Sequence, residues 1–234
     1  MLDVQQLRAW YGKAQILFDV SLHVGAGQCV ALMGRNGAGK STTMKALMGL
    51  LARRSGQVRF EGSDISTLAP HRISRLGLGW VPEDRRIFTD LSVRENLEVG
   101  RQPARPGAAA AWTPEKLFDL FPNLATMLDR PGGRTSGGEQ QMLTIARTLM
   151  GNPRLVLLDE PSEGVAPLIV EQLARMMVTL KQQGLSILLS EQNLHFARLV
   201  SDRAVVLEKG QVQFSGTMEQ LMADETVQRT YLSV

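Results

Sequence analysis

An α/β fold is what this chain of 234 residues predicts: a parallel sheet covered by helices, with a β-rich lobe ahead of it and a helical insert within it. Three observations carry that reading. Gly27–Met33 is a short apolar strand that runs into the glycine-rich turn "GRNGAGKST" and then a helical stretch over Thr42–Leu50. Toward the C-terminus, "RLVLLDEP", "LSILLSE" and "DRAVVLEKGQ" are short apolar strands, and "PLIVEQLARMMVTLKQQG" between the first two has helical spacing. Between these regions, Ser92 to Met150 is helical in pattern.

Each element has its own justification. "LDVQQLRAWY" and "QILFDVSLHVGAGQCVALMG" alternate apolar and polar residues around Gly25 and Gly27, and "SGQVRFEG" is a further strand between turn residues. In the insert, "TPEKLFDLFP" opens on a Thr cap followed by Pro at the first helical position, and "SGGEQQMLTIARTLM" carries its apolar residues at helical spacing. "EKGQ" between two strand-like runs is a hairpin turn, and the chain from Met218 is a polar helical tail. "RQPARPGAAAAWTP" is the one low-complexity piece, and its alanines carry no assignable function. The expected division is a β-lobe and core formed by 1–84 and 151–234, with 85–150 as the helical subdomain.

Composition narrows the class. Hydrophobic content of 44% and charged content of 21% are those of a globular chain able to bury a core, not of a disordered or fibrous one. Cys29 is the only cysteine, so no disulfide framework exists, and its place in an apolar strand predicts a small buried hydrophobe. The first ten residues lack the build of a signal peptide and no apolar run approaches the roughly 20 residues of a membrane-spanning helix, so a cytoplasmic chain is expected. The net charge of +3 is mild and the arginines are dispersed, which gives little support to nucleic-acid binding, and no nucleic-acid partner is expected.

Chemistry concentrates in three places. In the G-x-x-x-x-G-K-S run, Gly34, Gly37 and Gly39 allow backbone angles and close approach that a side chain would block, so the N–H groups of Gly34, Arg35, Asn36, Gly37, Ala38 and Gly39 can turn toward phosphates. Lys40 adds a cation, Ser41 a hydroxyl able to ligate Mg²⁺, and the helix opening at Ser41 and Thr42 presents its positive end to the anion. Second, "LVLLDEP" delivers Asp159 to the carboxyl end of a strand, where it can hold Mg²⁺ through water, and places Glu160 next to it as the candidate general base. Third, in "TSGGEQQ" the pair Ser136 and Glu139 makes a capping box, while Gly137 and Gly138 leave the first-turn N–H groups uncovered for an anion.

The set "GRNGAGKST", "TSGGEQQ" and "LVLLDEPSEGVAP", in that order, resembles the ATP-binding subunit of an ABC transporter over essentially the whole chain. The resemblance implies a P-loop ATPase fold, ATP and Mg²⁺ as ligands, and two nucleotide domains sandwiching two ATP molecules, so that Ser136, Gly137, Gly138 and Glu139 meet the nucleotide bound by the other copy. It also implies roles for single residues. Tyr11 resembles the aromatic that stacks on adenine, the alternative being a core tyrosine; "SEGVAP" resembles the loop crossing the dimer seam, with Glu163 where a small hydrophobe or Leu is usual. Glu83 in "WVPEDRRIF" stands where the family has a Gln that touches Mg²⁺ and contacts the membrane subunit, and Gln192 in "LLSEQN" stands where it has a His near the γ-phosphate. His195 is then a helix-surface residue.

"VPEDRRIF", "SEGVAP" and "EQN" together resemble one of the two ATPases of the branched-chain amino acid importer, with the urea and amide importers close by. On this resemblance the partners are transmembrane permease subunits, a second ATPase subunit of the same or a paralogous chain and, indirectly, a solute-binding protein. The place is the cytoplasmic face of the membrane. A soluble ABC-type ATPase and a non-hydrolysing regulatory nucleotide-binding module are the other classes.

Overall fold

The computed structural model describes residues 1–103 and 111–232, so all the alanines of the low-complexity loop except Ala111 lie outside the described residues. The strands in chain order are β1 (Leu2–Tyr11), β2 (Ala14–Val24), β3 (Cys29–Met33), β4 (Arg53–Phe60), β5 (Ser63–Asp64), β6 (Leu78–Val81), β7 (Leu155–Asp159), β8 (Ser186–Glu191), β9 (Arg203–Glu208) and β10 (Gln211–Thr217). They form an antiparallel sheet in the order β2-β1-β4-β5 and a six-stranded sheet in the order β10-β9-β3-β8-β7-β6. In the larger sheet β3 runs parallel to β8 and β9, and β7 runs parallel to β8 and β6. Only β10 is antiparallel, returning on β9 through the Lys209-Gly210 turn, where both residues have positive φ.

The helices are α1 (Lys40–Leu47), α2 (Pro70–Leu76), α3 (Val93–Gly100), α4 (Pro114–Leu120), α5 (Pro122–Ala125), α6 (Gly137–Leu149), α7 (Pro167–Gln182), α8 (Leu194–Val200) and α9 (Met218–Ala223). Their starts follow the local chemistry: Thr113 caps α4, and Ser136 caps α6 with both halves of the box in place, Ser136 N–H donating to Glu139 at 2.6 Å and Glu139 N–H donating to the Ser136 hydroxyl at 3.3 Å. A second capping box, Ser92 with Glu95, opens α3. The helix after the glycine-rich turn begins two residues earlier than Thr42, because Gly39 in the left-handed region serves as its N-cap.

Period-two burial divides the six-stranded sheet between two cores. Leu155 and Leu157 of β7 face the core shared with the antiparallel sheet and α1, together with Val30 and Leu32 of β3 and Leu188 of β8. Val156, Leu158, Ile187 and Leu189 face the opposite side, against α3, α6 and α7. The strands are apolar on both faces because both faces are covered. Cys29 lies in the second core, and burial pushes its thiol up to about 12, so it stays a neutral packing group.

Candidate functional site

Four neighbouring strand ends build the site. In the order β3-β8-β7-β6, the carboxyl ends lead into the glycine-rich turn, Glu191-Gln192, Asp159-Glu160 and the Pro82–Phe88 loop, so residues far apart in sequence meet at one edge of the sheet. The turn itself is a backbone cradle. Gly34, Gly37 and Gly39 have φ of 146°, 80° and 110°, and a Cβ on Gly34 would overlap the Leu207 carbonyl. Ala38, Gly39 and Lys40 are buried, while Arg35, Asn36 and Gly37 are exposed at the rim.

Lys40 is 3% exposed, and its ammonium donates to the Gly34 carbonyl at 2.8 Å and the Arg35 carbonyl at 3.1 Å. It also pairs with Glu160 at 3.1 Å. Gln192 closes the group, its amide donating to the other Glu160 oxygen at 2.6 Å. The candidate phosphate-binding cation Lys40, the candidate base Glu160 and Gln192 are therefore one connected cluster. Glu160 holds this place with a φ of 47°, a left-handed conformation that an L residue adopts only under constraint from its surroundings.

Ser41 donates its hydroxyl to Asp159 at 3.1 Å, and the two line a cleft of about 220 Å³ together with Glu83, Lys45, Trp80 and Arg86. Burial pushes the Asp159 carboxyl up, with the Ser190 and Ser41 hydroxyls opposing, and a cation here would favour its ionised form. Among the described residues no set of three or more His, Cys, Asp or Glu side chains is arranged to hold a metal. A hydroxyl and one or two carboxylates suit Mg²⁺, which keeps waters and fills its octahedron from phosphate oxygens.

Glu163 adds an interaction that the sequence did not display. It lies exposed in the turn after Glu160, its N–H donating to the Glu160 carbonyl at 3.2 Å, and hydrogen bonding to the Glu160 carboxylate pushes its own carboxyl up to about 7. Burial alone would push Glu160 up as well, but hydrogen bonds from Glu163 and Gln192 and the charge of Lys40 outweigh it and hold Glu160 below the ordinary range. The sign for stability follows: between the ordinary Glu value and about 7 the folded chain retains a proton at Glu163 that the unfolded chain has lost, so stability falls as pH rises through that window. Glu163→Gln removes this dependence. Its melting temperature relative to wild type is expected to rise from pH 5 to pH 8; a constant difference in paired thermal melts rules the shared proton out.

The remaining expected residues are placed as follows. Tyr11 ends β1 and is 47% exposed, which dismisses the core-tyrosine alternative. His195 is exposed on α8. Ser136 is exposed at the start of α6, but the glycines beside it are not bare: a Cβ on Gly137 would lie 2.9 Å from the Arg85 guanidinium, and one on Gly138 would lie 2.9 Å from Ile169 of α7. The uncovered anion site expected there is thus lined by a cation of the same chain. No hydrogen bond or ion pair among the described residues joins Ser136–Glu139 to the glycine-rich turn.

Two structural supports were missed by sequence reasoning. Gly210, in the β9–β10 turn, donates its N–H to the Ala38 carbonyl at 2.8 Å, and a Cβ there would overlap the Ile16 carbonyl, so this hairpin buttresses the cradle. The Pro82–Phe88 loop, with Arg85 and Arg86 at φ of 60° and 49°, is fastened to α6: Thr144 donates to the Arg85 carbonyl at 2.9 Å and Arg147 to the Arg86 carbonyl at 2.7 Å. Asn96 of α3 completes the fastening by bonding both the N–H and the carbonyl of Phe88. The "ED" and "KG" steps gave no local sign of either.

The family model described as ABC transporter matches residues 17–163. The chain is 40% identical over 232 residues to BraG of Pseudomonas aeruginosa, a high-affinity branched-chain amino acid transport ATP-binding protein, with 99% of each chain covered. It is 36% identical over 234 residues to LptB of Haemophilus influenzae, a lipopolysaccharide export system ATP-binding protein, covering 99% of this chain and 97% of the other. Among solved structures, a nucleotide-free ATP-binding cassette from an ABC transporter superposes with a TM-score of 0.82 at 28% identity, over 97% of this chain and 96% of that one. Another such cassette, in its ADP conformation, gives 0.80 at 27% identity over 98% and 97%. With the glycine-rich cradle, the paired Asp159 and Glu160 and the family match in agreement over most of its length, the chain belongs to the ABC transporter family and is one of its ATP-binding cassettes, an ATPase.

Proposed function

We propose that this ATPase drives an importer of branched-chain amino acids, working as a pair of cassettes on the cytoplasmic face of the membrane beneath permease subunits fed by a solute-binding protein. The observation that carries the solute class is the 40% identity to BraG over 99% of both chains. No described helix is long and apolar enough to cross a membrane, so contact with one falls to partners. The loop from Glu83 to Phe88 is assigned to the permease because Phe88 and the nearby Val99, 47% and 53% exposed, flank a groove between the sheet edge and α3 that also includes Trp80 and Arg147.

In the proposed mechanism the cradle from Gly34 to Thr42 binds the ATP phosphates, Tyr11 stacks on adenine, and Lys40 leaves Glu160 for the γ-phosphate. Ser41, Asp159 and Glu83 would hold Mg²⁺, which would supply neutralisation of phosphate charge. Glu160, freed and ionised, accepts a proton from the attacking water, and Gln192 steers both the carboxylate and the terminal phosphate by amide hydrogen bonds. Ser136, Gly137, Gly138 and Glu139 of one copy complete the site of the other, with the Arg85 guanidinium adjacent to the incoming phosphate. Hydrolysis then opens the pair.

The test is ATP turnover by the purified chain together with its partner cassette, permease and binding protein. Turnover should rise several-fold, as transport machines of this kind require, when the binding protein carries leucine, isoleucine or valine. Stimulation by urea, short amides or lipopolysaccharide instead would reassign the solute and leave the ATPase standing.

A further inference from the structure

Glu191 has no part in the mechanism above, yet it is a buried carboxylate at the site, 2% exposed, and among the described residues no basic side chain pairs with it. What it holds is backbone. One oxygen accepts the N–H of Ser162 at 3.2 Å, and the other accepts the N–H groups of Gln192 and Asn193, both at 3.2 Å. Ser162 begins the loop that leads through Glu163 to α7, whereas Gln192 and Asn193 begin the turn into α8, where Asn193 is the cap. Two loops on neighbouring strand ends are joined through a single side chain.

The joint lies one step from the reaction. Gln192, held by its N–H on Glu191, donates its side chain to Glu160, and the Glu160 N–H is fixed by the Ser190 carbonyl at 3.0 Å. From the geometry we infer that Glu191 is a positioning residue for ATP hydrolysis: it transmits movement of the Ser162–Pro167 loop, pressed by the second cassette, to Gln192 and so to Glu160. The inference rests on the proposed roles of Glu160, Gln192 and that loop. The charged groups that face it are Glu160 on the adjacent strand end and Glu163 in the facing loop; Lys40 is paired with Glu160, and Glu83 acts on Glu163. A buried carboxylate is suited to the task because three N–H donors satisfy it fully, whereas its amide counterpart has one acceptor oxygen and two donors that meet only other donors.

Glu191→Gln in the full chain, assayed with its partner cassette, is expected to lower kcat about tenfold with KM for ATP within about twofold, the pattern of an interaction that matters only in the transition state. Gln192→Ala combined with it should be no slower than Gln192→Ala alone by more than about twofold, because the two act through one path. Wild-type kcat in Glu191→Gln, a rise in KM at constant kcat, or losses that multiply in the double variant would each overturn the role. Should Glu191→Gln fail to fold, Ser162→Pro removes the N–H and the hydroxyl that the seam loop offers Glu191, at the cost of a fixed φ, and must show the same loss of kcat at constant KM; an unchanged kcat there overturns the role equally. Absence of turnover in the wild-type chain would instead strike the reading of Glu160, so the two failures are distinct.

Discussion

Glu160→Gln is expected to cut ATP hydrolysis by at least about 100-fold, the share a positioned general base contributes, while ATP still binds. The substitution is nearly isosteric, so the hydrogen bond from Gln192 at 2.6 Å has an oxygen to meet and the strained backbone at φ 47° is untouched. What disappears is basicity. In the wild-type chain the carboxylate is held below its ordinary range, so it is ionised at neutral pH and ready to take a proton. Affinity should be equal or better, because phosphate entering the cradle no longer competes with a carboxylate for Lys40, which sits 3.1 Å from it. Single-turnover hydrolysis and binding of a fluorescent ATP analogue separate the two quantities. Wild-type turnover in this variant would remove Glu160 as the base.

Lys40→Ala is expected to weaken ATP binding by roughly 10- to 100-fold, the worth of one or two charge-assisted hydrogen bonds to phosphate. Its ammonium is organised before any nucleotide arrives, since the Gly34 and Arg35 carbonyls hold it in the cradle at 2.8 and 3.1 Å. Removal also takes away the charge that helps hold Glu160 low and leaves it with Gln192 and Glu163, so its proton affinity rises. Isothermal titration with ATP reads the effect directly; an unchanged dissociation constant would show that the backbone cradle alone carries the phosphates.

What the sequence disclosed was local, and what it concealed was not. The cradle from Gly34 to Thr42, the strand ending in Asp159, the Thr113 cap and the Ser136–Glu139 box are each written within a few consecutive residues. Strand β6 went unread because "LGWV" has four residues and a glycine, and becomes a strand only by pairing with β7. At seven residues α2 is also short, begun by Pro70 and ended by Gly77 in the left-handed region. Glu191 closes an apolar strand in which a terminal carboxylate reads as solvent-facing, and only the fold folds the Ser162 loop over it. Gly137 and Gly138 looked bare for the same reason, since Arg85 and Ile169 come from other parts of the chain.

The fastening of the Pro82–Phe88 loop has a consequence for how the molecule transmits force. The loop grows from the end of β6 beside Asp159, but Thr144, Arg147 and Asn96 bolt its backbone to helices α6 and α3. A rotation of those helices relative to the sheet cannot leave the loop behind, and Glu83, near its root, is drawn toward or away from Ser41 and Asp159. If Glu83 holds a cation as proposed, a lever of this build would convert an angle into a coordination distance: the tilt imposed at one end of the molecule would set how many oxygens stand within reach of that cation at the other.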